Sequence, residues 1–207
     1  MFDAHCHIDL PIFEGEVDAV LSRAKRSGVT GVIVAGVDPP GWLRQRTIAA
    51  AFSEVHITYG LHPWAVSKLS EQGLHSALND LEEALSGPGN VTPVGLGELG
   101  LDRSRQVSKE SLPLQVEAYR RQLAIARDRD LPVVLHVVKA HGLAFEIAAA
   151  DKLPKAGGMV HGFSGSPEMA ARWLALGLHI SFSTALARPQ YERLRQACKS
   201  VPRERLL

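Results

Sequence analysis

Long apolar runs are missing from this chain of 207 residues. None approaches the roughly 18 consecutive apolar residues that a bilayer-spanning helix needs, so such a helix is excluded. The opening segment MFDAHCHIDLP has no basic region followed by an apolar stretch, which argues against a secretory leader. Cysteine is scarce. Cys6 and Cys198 lie far apart in the chain, which excludes a disulfide framework and suits a reducing, cytoplasmic setting. An excess of one charge is also missing: 23 Lys plus Arg face 22 Asp plus Glu, a formal +1. Any nucleic-acid binding must therefore come from a local patch. There is no low-complexity segment, no charge block and no repeat beyond a β/α alternation. With 45% hydrophobic and 22% charged residues, the composition is that of an ordinary globular protein a little above the usual size of one domain. The unusual feature is nine histidines, and their placement carries the functional reading.

Short apolar runs alternate with amphipathic stretches throughout. Strands are expected near Phe2–His7, Val32–Val37, Ile57–His62, Pro93–Glu98, Pro132–Val138, Gly158–Phe163 and Leu178–Ser183. Most are continuously apolar, as in parallel sheets covered on both faces. Between them lie helical patterns. Val17, Val20, Leu21 and Ala24 form one stripe closed by Gly28, and Leu112, Val116, Tyr119 and Leu123 form another. Ser166 followed by Pro167 reads as a helix start that Gly177 ends, and Tyr191, Leu194, Cys198 and Val201 mark the last helix. The run Ser86–Asn90 reads as a surface turn. Seven strands, each followed by a helix, suggest an α/β fold: a single TIM-type (β/α)₈ barrel domain over residues 1–207, with an open doubly wound sheet as the alternative. Arg205, Leu206 and Leu207 read as the first residues of strand eight, so the chain is expected to be truncated before that strand and its helix.

His5 and His7 stand two apart on the first strand, a spacing that places both rings on one face. His62 ends the third expected strand, Glu98 the fourth, and His136 and His161 lie late in the fifth and sixth. In a barrel all these strand ends converge on one mouth. A lone histidine on an apolar strand is more often a satisfied core residue. Several of them with a glutamate, each late in its own strand, would cost several kcal/mol without partners. A metal centre supplies those partners. Imidazole and carboxylate donors suit zinc or manganese, with magnesium less at home among nitrogens.

The opening run Phe2–Asp9 resembles the first motif of the TatD-like metal-dependent hydrolases, within the amidohydrolase superfamily. Gly60–Pro63, Gly97–Asp102, Leu131–His136 and Val160–Ser166 resemble the later motifs in order. The resemblance implies a TIM barrel with two divalent metal ions (Zn, Mn or Mg) that cleaves phosphodiester bonds, generally of DNA, through a metal-bridged hydroxide. It implies that His5 and His7 hold one metal, His136 and His161 the other, and that Glu98 bridges them as the catalytic carboxylate. His62 would face the substrate. A carboxylated lysine as the bridge is disfavoured, because no lysine occurs between Lys68 and Lys109.

Two departures stand out. The family usually has Ser-Arg after the strand-five histidine, whereas His136 is followed by Val137, Val138 and Lys139. Lys139 offers phosphate a point charge rather than a bidentate fork, which opens the alternative of a small-molecule or aminoacyl ester or amide substrate. The family's last ligand is an aspartate in a Glu-Thr-Asp motif on strand eight, and this sequence stops before it. That aspartate would also be the general base, so weakened metal binding or a catalytically impaired metal-binding barrel fragment is a further alternative. Either a longer chain or a second protomer would close the barrel, and open edges favour self-association.

Other residues have milder readings. His56, His75 and His179 are expected to be structural or exposed, and His141 to sit in the loop after strand five. Asp102 is either a turn residue or an acceptor that orients a metal ligand. Arg103, with Arg105 and Lys109, is placed to contact DNA phosphate on the active face. Trp64 lies near the mouth in position to stack on a base. Trp42 and Trp173 are expected to pack, and Cys6 to point into the strand–helix layer.

Overall fold

The computed structural model of the chain describes residues 1–87 and 91–207, so the turn expected at Ser86–Asn90 falls largely outside the described residues. The apolar runs form seven strands: β1 (Phe2–Cys6), β2 (Gly31–Ala35), β3 (Val55–Tyr59), β4 (Gly95–Asp102), β5 (Val133–Val138), β6 (Gly158–His161) and β7 (His179–Ile180). All pair in parallel, in the order β1-β2-β3-β4-β5-β6-β7. The amphipathic stretches form α1 (Val17–Arg26), α2 (Pro39–Ala51), α3 (Pro63–Val66), α4 (Glu71–Ser86), α5 (Leu112–Arg129), α6 (His141–Asp151), α7 (Pro167–Ala175) and α8 (Glu192–Ser200).

The sheet is curled. His5 on β1 and His161 on β6 are five strands apart, about 24 Å in a flat sheet, yet their rings stack with centroids 3.4 Å apart. The result is an incomplete α/β barrel. Leu206 makes a parallel bridge to Ile180, and the Leu207 N–H donates to Ile180 O at 3.0 Å, so the residues read as the opening of an eighth strand lie on the outer edge of β7. Among the described residues no strand pairs with the outer edge of β1. Leu74, Leu78 and Leu81 of α4, Tyr119 and Leu123 of α5, and Trp173 of α7 are fully buried in one hydrophobic cluster with Val34, Ile57, Leu99, Leu135 and Val160 of the sheet.

Several boundaries differ from the sequence expectation, each for a local reason. Strand three stops at Tyr59, because His62 and Pro63 begin a helix: Pro63 fits the first helical turn and His62 Nδ1 accepts the Trp64 N–H at 3.0 Å. Strand four runs on to Asp102, which puts Glu98 in its middle rather than at its end. Strand six ends at His161, before Gly162 turns the backbone with φ +54°. His141 is the first residue of α6, not part of a loop. The start of α7 is as expected, with Ser166 Oγ accepting the Met169 N–H at 3.3 Å. Trp42 and Trp173 are packed at 4% and 0% exposure. Half-buried Cys6 packs against the core, and burial pushes its thiol up to about 12.

Two glycines let β4 and β5 approach. Gly97 and Gly100 have φ of +141° and +145°, and a Cβ on Gly100 would lie 2.0 Å from His136 O. The register between the strands shifts between Leu96 and Leu99, around Glu98. The Glu98 N–H donates to Gly36 O at 2.7 Å, and the Gly36 N–H to Gly97 O at 3.1 Å. A fixed irregularity in a central strand thus sets the direction of the Glu98 carboxylate.

Candidate metal centre

Glu98 is 2% exposed and collects four histidines. Its Oε2 lies 3.5 Å from His5 Nε2 and 3.4 Å from His7 Nε2, and these two nitrogens are 3.1 Å apart. Its Oε1 lies 3.5 Å from His62 Nε2 and 2.6 Å from His136 Nδ1. The other His136 nitrogen, Nε2, meets Asp102 Oδ2 at 3.2 Å, and the same oxygen accepts the Trp64 indole N–H at 2.7 Å. Among the described residues two sets of donors are close enough to hold an ion: His5, His7 and Glu98, and His62, Glu98 and His136, each with its ligand atoms within 4.8 Å of one another.

The two sets are prepared to different degrees. Donors about 2.0–2.1 Å from a tetrahedral zinc stand about 3.3 Å apart. The His5, His7 and Glu98 atoms, at 3.1, 3.4 and 3.5 Å, already form one face of such a tetrahedron. At the second set the 2.6 Å contact between His136 and Glu98 is a hydrogen bond, and the remaining nitrogen of His136 is held by Asp102. Any ion there requires His136 to release one of these bonds.

Protonation does not follow that division, because each set pairs one lowered histidine with one raised one. Burial lowers His5 to about 3, outweighing the attraction of Glu98, so its ring is neutral. Burial also lowers His62 and His161. For His136 burial works downward, but the hydrogen bonds and charges of Asp102 and Glu98 win and raise it to about 9. His7 is likewise raised, by Glu98, against the effect of its burial. Burial opposes ionisation of Glu98, yet hydrogen bonds from His136, His62 and His7 hold it well below the usual carboxylate range. Asp102, held by His136, Ser104 and Trp64, is also lowered against its burial. The buried Nδ1 atoms of His5, His7 and His161 have no hydrogen-bond partner among the described residues.

The structure therefore brings His5, His7, Glu98 and His136 together, with His161 stacked on His5 rather than grouped with His136. His62, expected to face substrate, is 3% exposed and takes the place beside Glu98 and His136. The His-Pro pair that starts α3 is a sign of a helix start, not of burial. Asp102, 2% exposed, meets both of its readings: Oδ2 is bonded to His136, and Oδ1 accepts the Ser104 N–H at 2.6 Å as in a turn. Lys139 is exposed with φ +53°, and Arg103 is exposed beside it, its N–H donating to Val138 O at 2.9 Å. His56 stacks on Phe2, and His75 lies on α4 within 3.9 Å of Glu117.

The family model for TatD-related DNases matches residues 2–207. The chain belongs to this family. Among TatD relatives, the metal-dependent hydrolase YjjV of Escherichia coli K12 is 34% identical over 209 residues, covering 99% of this chain and 76% of YjjV. A 3'-5' ssDNA/RNA exonuclease TatD of Yersinia pseudotuberculosis is 33% identical over 187 residues, covering 88% of this chain and 67% of that protein. The crystal structure of the TatD homologue YjjV superposes with a TM-score of 0.89 at 32% identity, over all of this chain and 77% of the other. This TatD-family chain is thus a metal-dependent hydrolase by kinship, with a His/Glu cluster able to bind metal. No helix among the described residues is long and apolar enough to cross a membrane.

Proposed function

We propose that this protein is a two-metal phosphodiesterase that acts on DNA or another phosphodiester in the cytoplasm. The observation that carries the reading is the His5–His7–Glu98 triangle, whose edges match a coordination face, at the end of the sheet where barrel enzymes build their sites. The name of the exonuclease relative supports the choice of substrate. His5, His7 and Glu98 would hold one ion, and Glu98, His136 and either His62 or His161 the other. Bound divalent ions supply Lewis acidity toward a phosphate and a water molecule.

The chain's own residues prepare the site for that chemistry. Burial keeps His5, His62 and His161 neutral, the form that binds a metal. Asp102 fixes the His136 ring, and Trp64 fixes Asp102. Arg103 and Lys139, exposed at adjoining strand ends, offer positive charge to phosphates beside the reacting one.

The test is a substrate panel: bis-p-nitrophenyl phosphate, single-stranded DNA and an aryl carboxylic ester, each with Zn²⁺, Mn²⁺ or Mg²⁺. Hydrolysis of the first two is expected, abolished by chelator and reduced at least about a hundredfold by His5→Ala or Glu98→Ala. Turnover of the ester alone would transfer the site to the ester or amide reading that Lys139 raises. Metal retention without turnover of any substrate would favour a binding rather than a catalytic role.

A further inference from the structure

Trp64 is 46% exposed, whereas Trp42 and Trp173 are buried at 4% and 0%. A half-exposed indole ordinarily turns its N–H to water. Here the Nε1–H points inward and donates to Asp102 Oδ2 at 2.7 Å, the oxygen that also meets His136 Nε2. The backbone N–H of Trp64 donates to His62 Nδ1 at 3.0 Å. Trp64 is therefore tied to the side chains around Glu98 at two points, one on its ring and one on its backbone. Its ring centroid lies 5.0 Å from that of His62 and 6.3 Å from that of His136, at interplanar angles of 71° and 70°. Neither imidazole lies parallel to the indole, so neither stacks over its face.

We propose that Trp64 is the base-stacking wall of the site, receiving the nucleobase next to the phosphate held at the histidine cluster. A flat apolar face anchored at its polar edge fits a planar aromatic group and has no use for a bare sugar phosphate. Charge is arranged to match. Asp102 pairs in register with Val138, so the exposed residues that follow them, Arg103 and Lys139, adjoin on the side of the site where Trp64 is anchored. A strand with one base on Trp64 would bring its neighbouring phosphate toward these cations. The inference rests on the phosphodiester reading and narrows it to substrates with a base beside the scissile bond.

The test compares phosphorothioate-linked tetrathymidylate, which resists cleavage, with an abasic tetramer of the same linkage and charge, both on the metal-loaded protein. With selective excitation of tryptophan, tetrathymidylate should quench the emission of the wild-type protein and the abasic tetramer should not. By calorimetry, Trp64→Leu should weaken tetrathymidylate about tenfold more than Trp64→Phe does, the range of one lost base–aromatic stack, while the two variants, which both lose the bond to Asp102, bind the abasic tetramer alike. Trp64→Phe, which keeps an aromatic face but loses the bond to Asp102, should retain most of the base preference. Equal weakening of both tetramers by Trp64→Leu would show a merely structural role and overturn the proposal, as would absence of quenching or of binding. Base-dependent quenching together with failure of the hydrolysis panel would overturn the catalytic reading alone, and phosphodiester hydrolysis indifferent to Trp64 this one alone.

Discussion

At the scale of single residues, the state of Glu98 and its neighbours depends on protons. A carboxylate at 2% exposure is costly unless paired, and here four histidines surround it. In metal-free protein the tightest partner is His136, raised to about 9 by Asp102 and Glu98 against its own burial. A histidine whose folded value exceeds its unfolded value of 6.5 stabilises the fold fully below 6.5, and that contribution is lost as pH rises through about 9. Calorimetric melting in chelator should therefore show a Tm that declines between roughly pH 6.5 and 9, with the decline flattened in His136→Gln. A flat wild-type profile across that window would contradict the His136 assignment. The convergence of His5, His7, Glu98 and His136 was readable from sequence, because neighbouring parallel strands bring these positions to one end of the sheet. Which ring meets which was not. The stacking of His161 on His5 and the capping role of His62 depend on side-chain torsions and on a helix start that no spacing rule supplies.

At the scale of elements, β4 is the strand on which the site depends. Its glycines allow β5 to lie close enough for His136 to reach both Glu98 and Asp102. Gly100→Ala would place a methyl group 2.0 Å from His136 O, at a φ of +145° that alanine rarely adopts. Strain and overpacking together should cost on the order of 3 kcal/mol, read as a lower denaturant midpoint, with metal content falling in parallel. Gly142→Ala is the control. It sits in the first turn of α6 with nothing within 4 Å of the added carbon, and should stabilise the protein by about 0.5 kcal/mol. The strands and their order were legible because buried parallel strands are written as continuous apolar runs. Their ends were less so: the strand expected at Pro93–Glu98 runs on to Asp102, with Gly97 and Gly100 serving close strand–strand approaches.

At the scale of the whole molecule, the feature with physical consequences is the pair of sheet edges. β1 has an outer edge that no strand covers among the described residues, and β7 carries only the short bridge from Leu206. Near them, at the end of the sheet opposite the metal centre, lies a largely apolar cavity of about 340 Å³, lined among others by Phe2, Ala4, Ile33, Met159 and Leu207. Phe2 is 48% exposed and Leu207 52%. Unpaired backbone N–H and C=O groups beside exposed apolar side chains favour pairing with another chain. With a formal charge of only +1, long-range repulsion does little to oppose it. The 207-residue polypeptide should therefore have a weight-average mass by light scattering that rises above 22.4 kDa with concentration. Phe2→Lys places a charge on the edge strand β1, giving up the stack of Phe2 on His56 but touching none of the ligands around Glu98, and should bring the mass back toward the monomer while leaving metal binding unchanged. A mass that stays at 22.4 kDa at every concentration would show that these edges are protected as they stand.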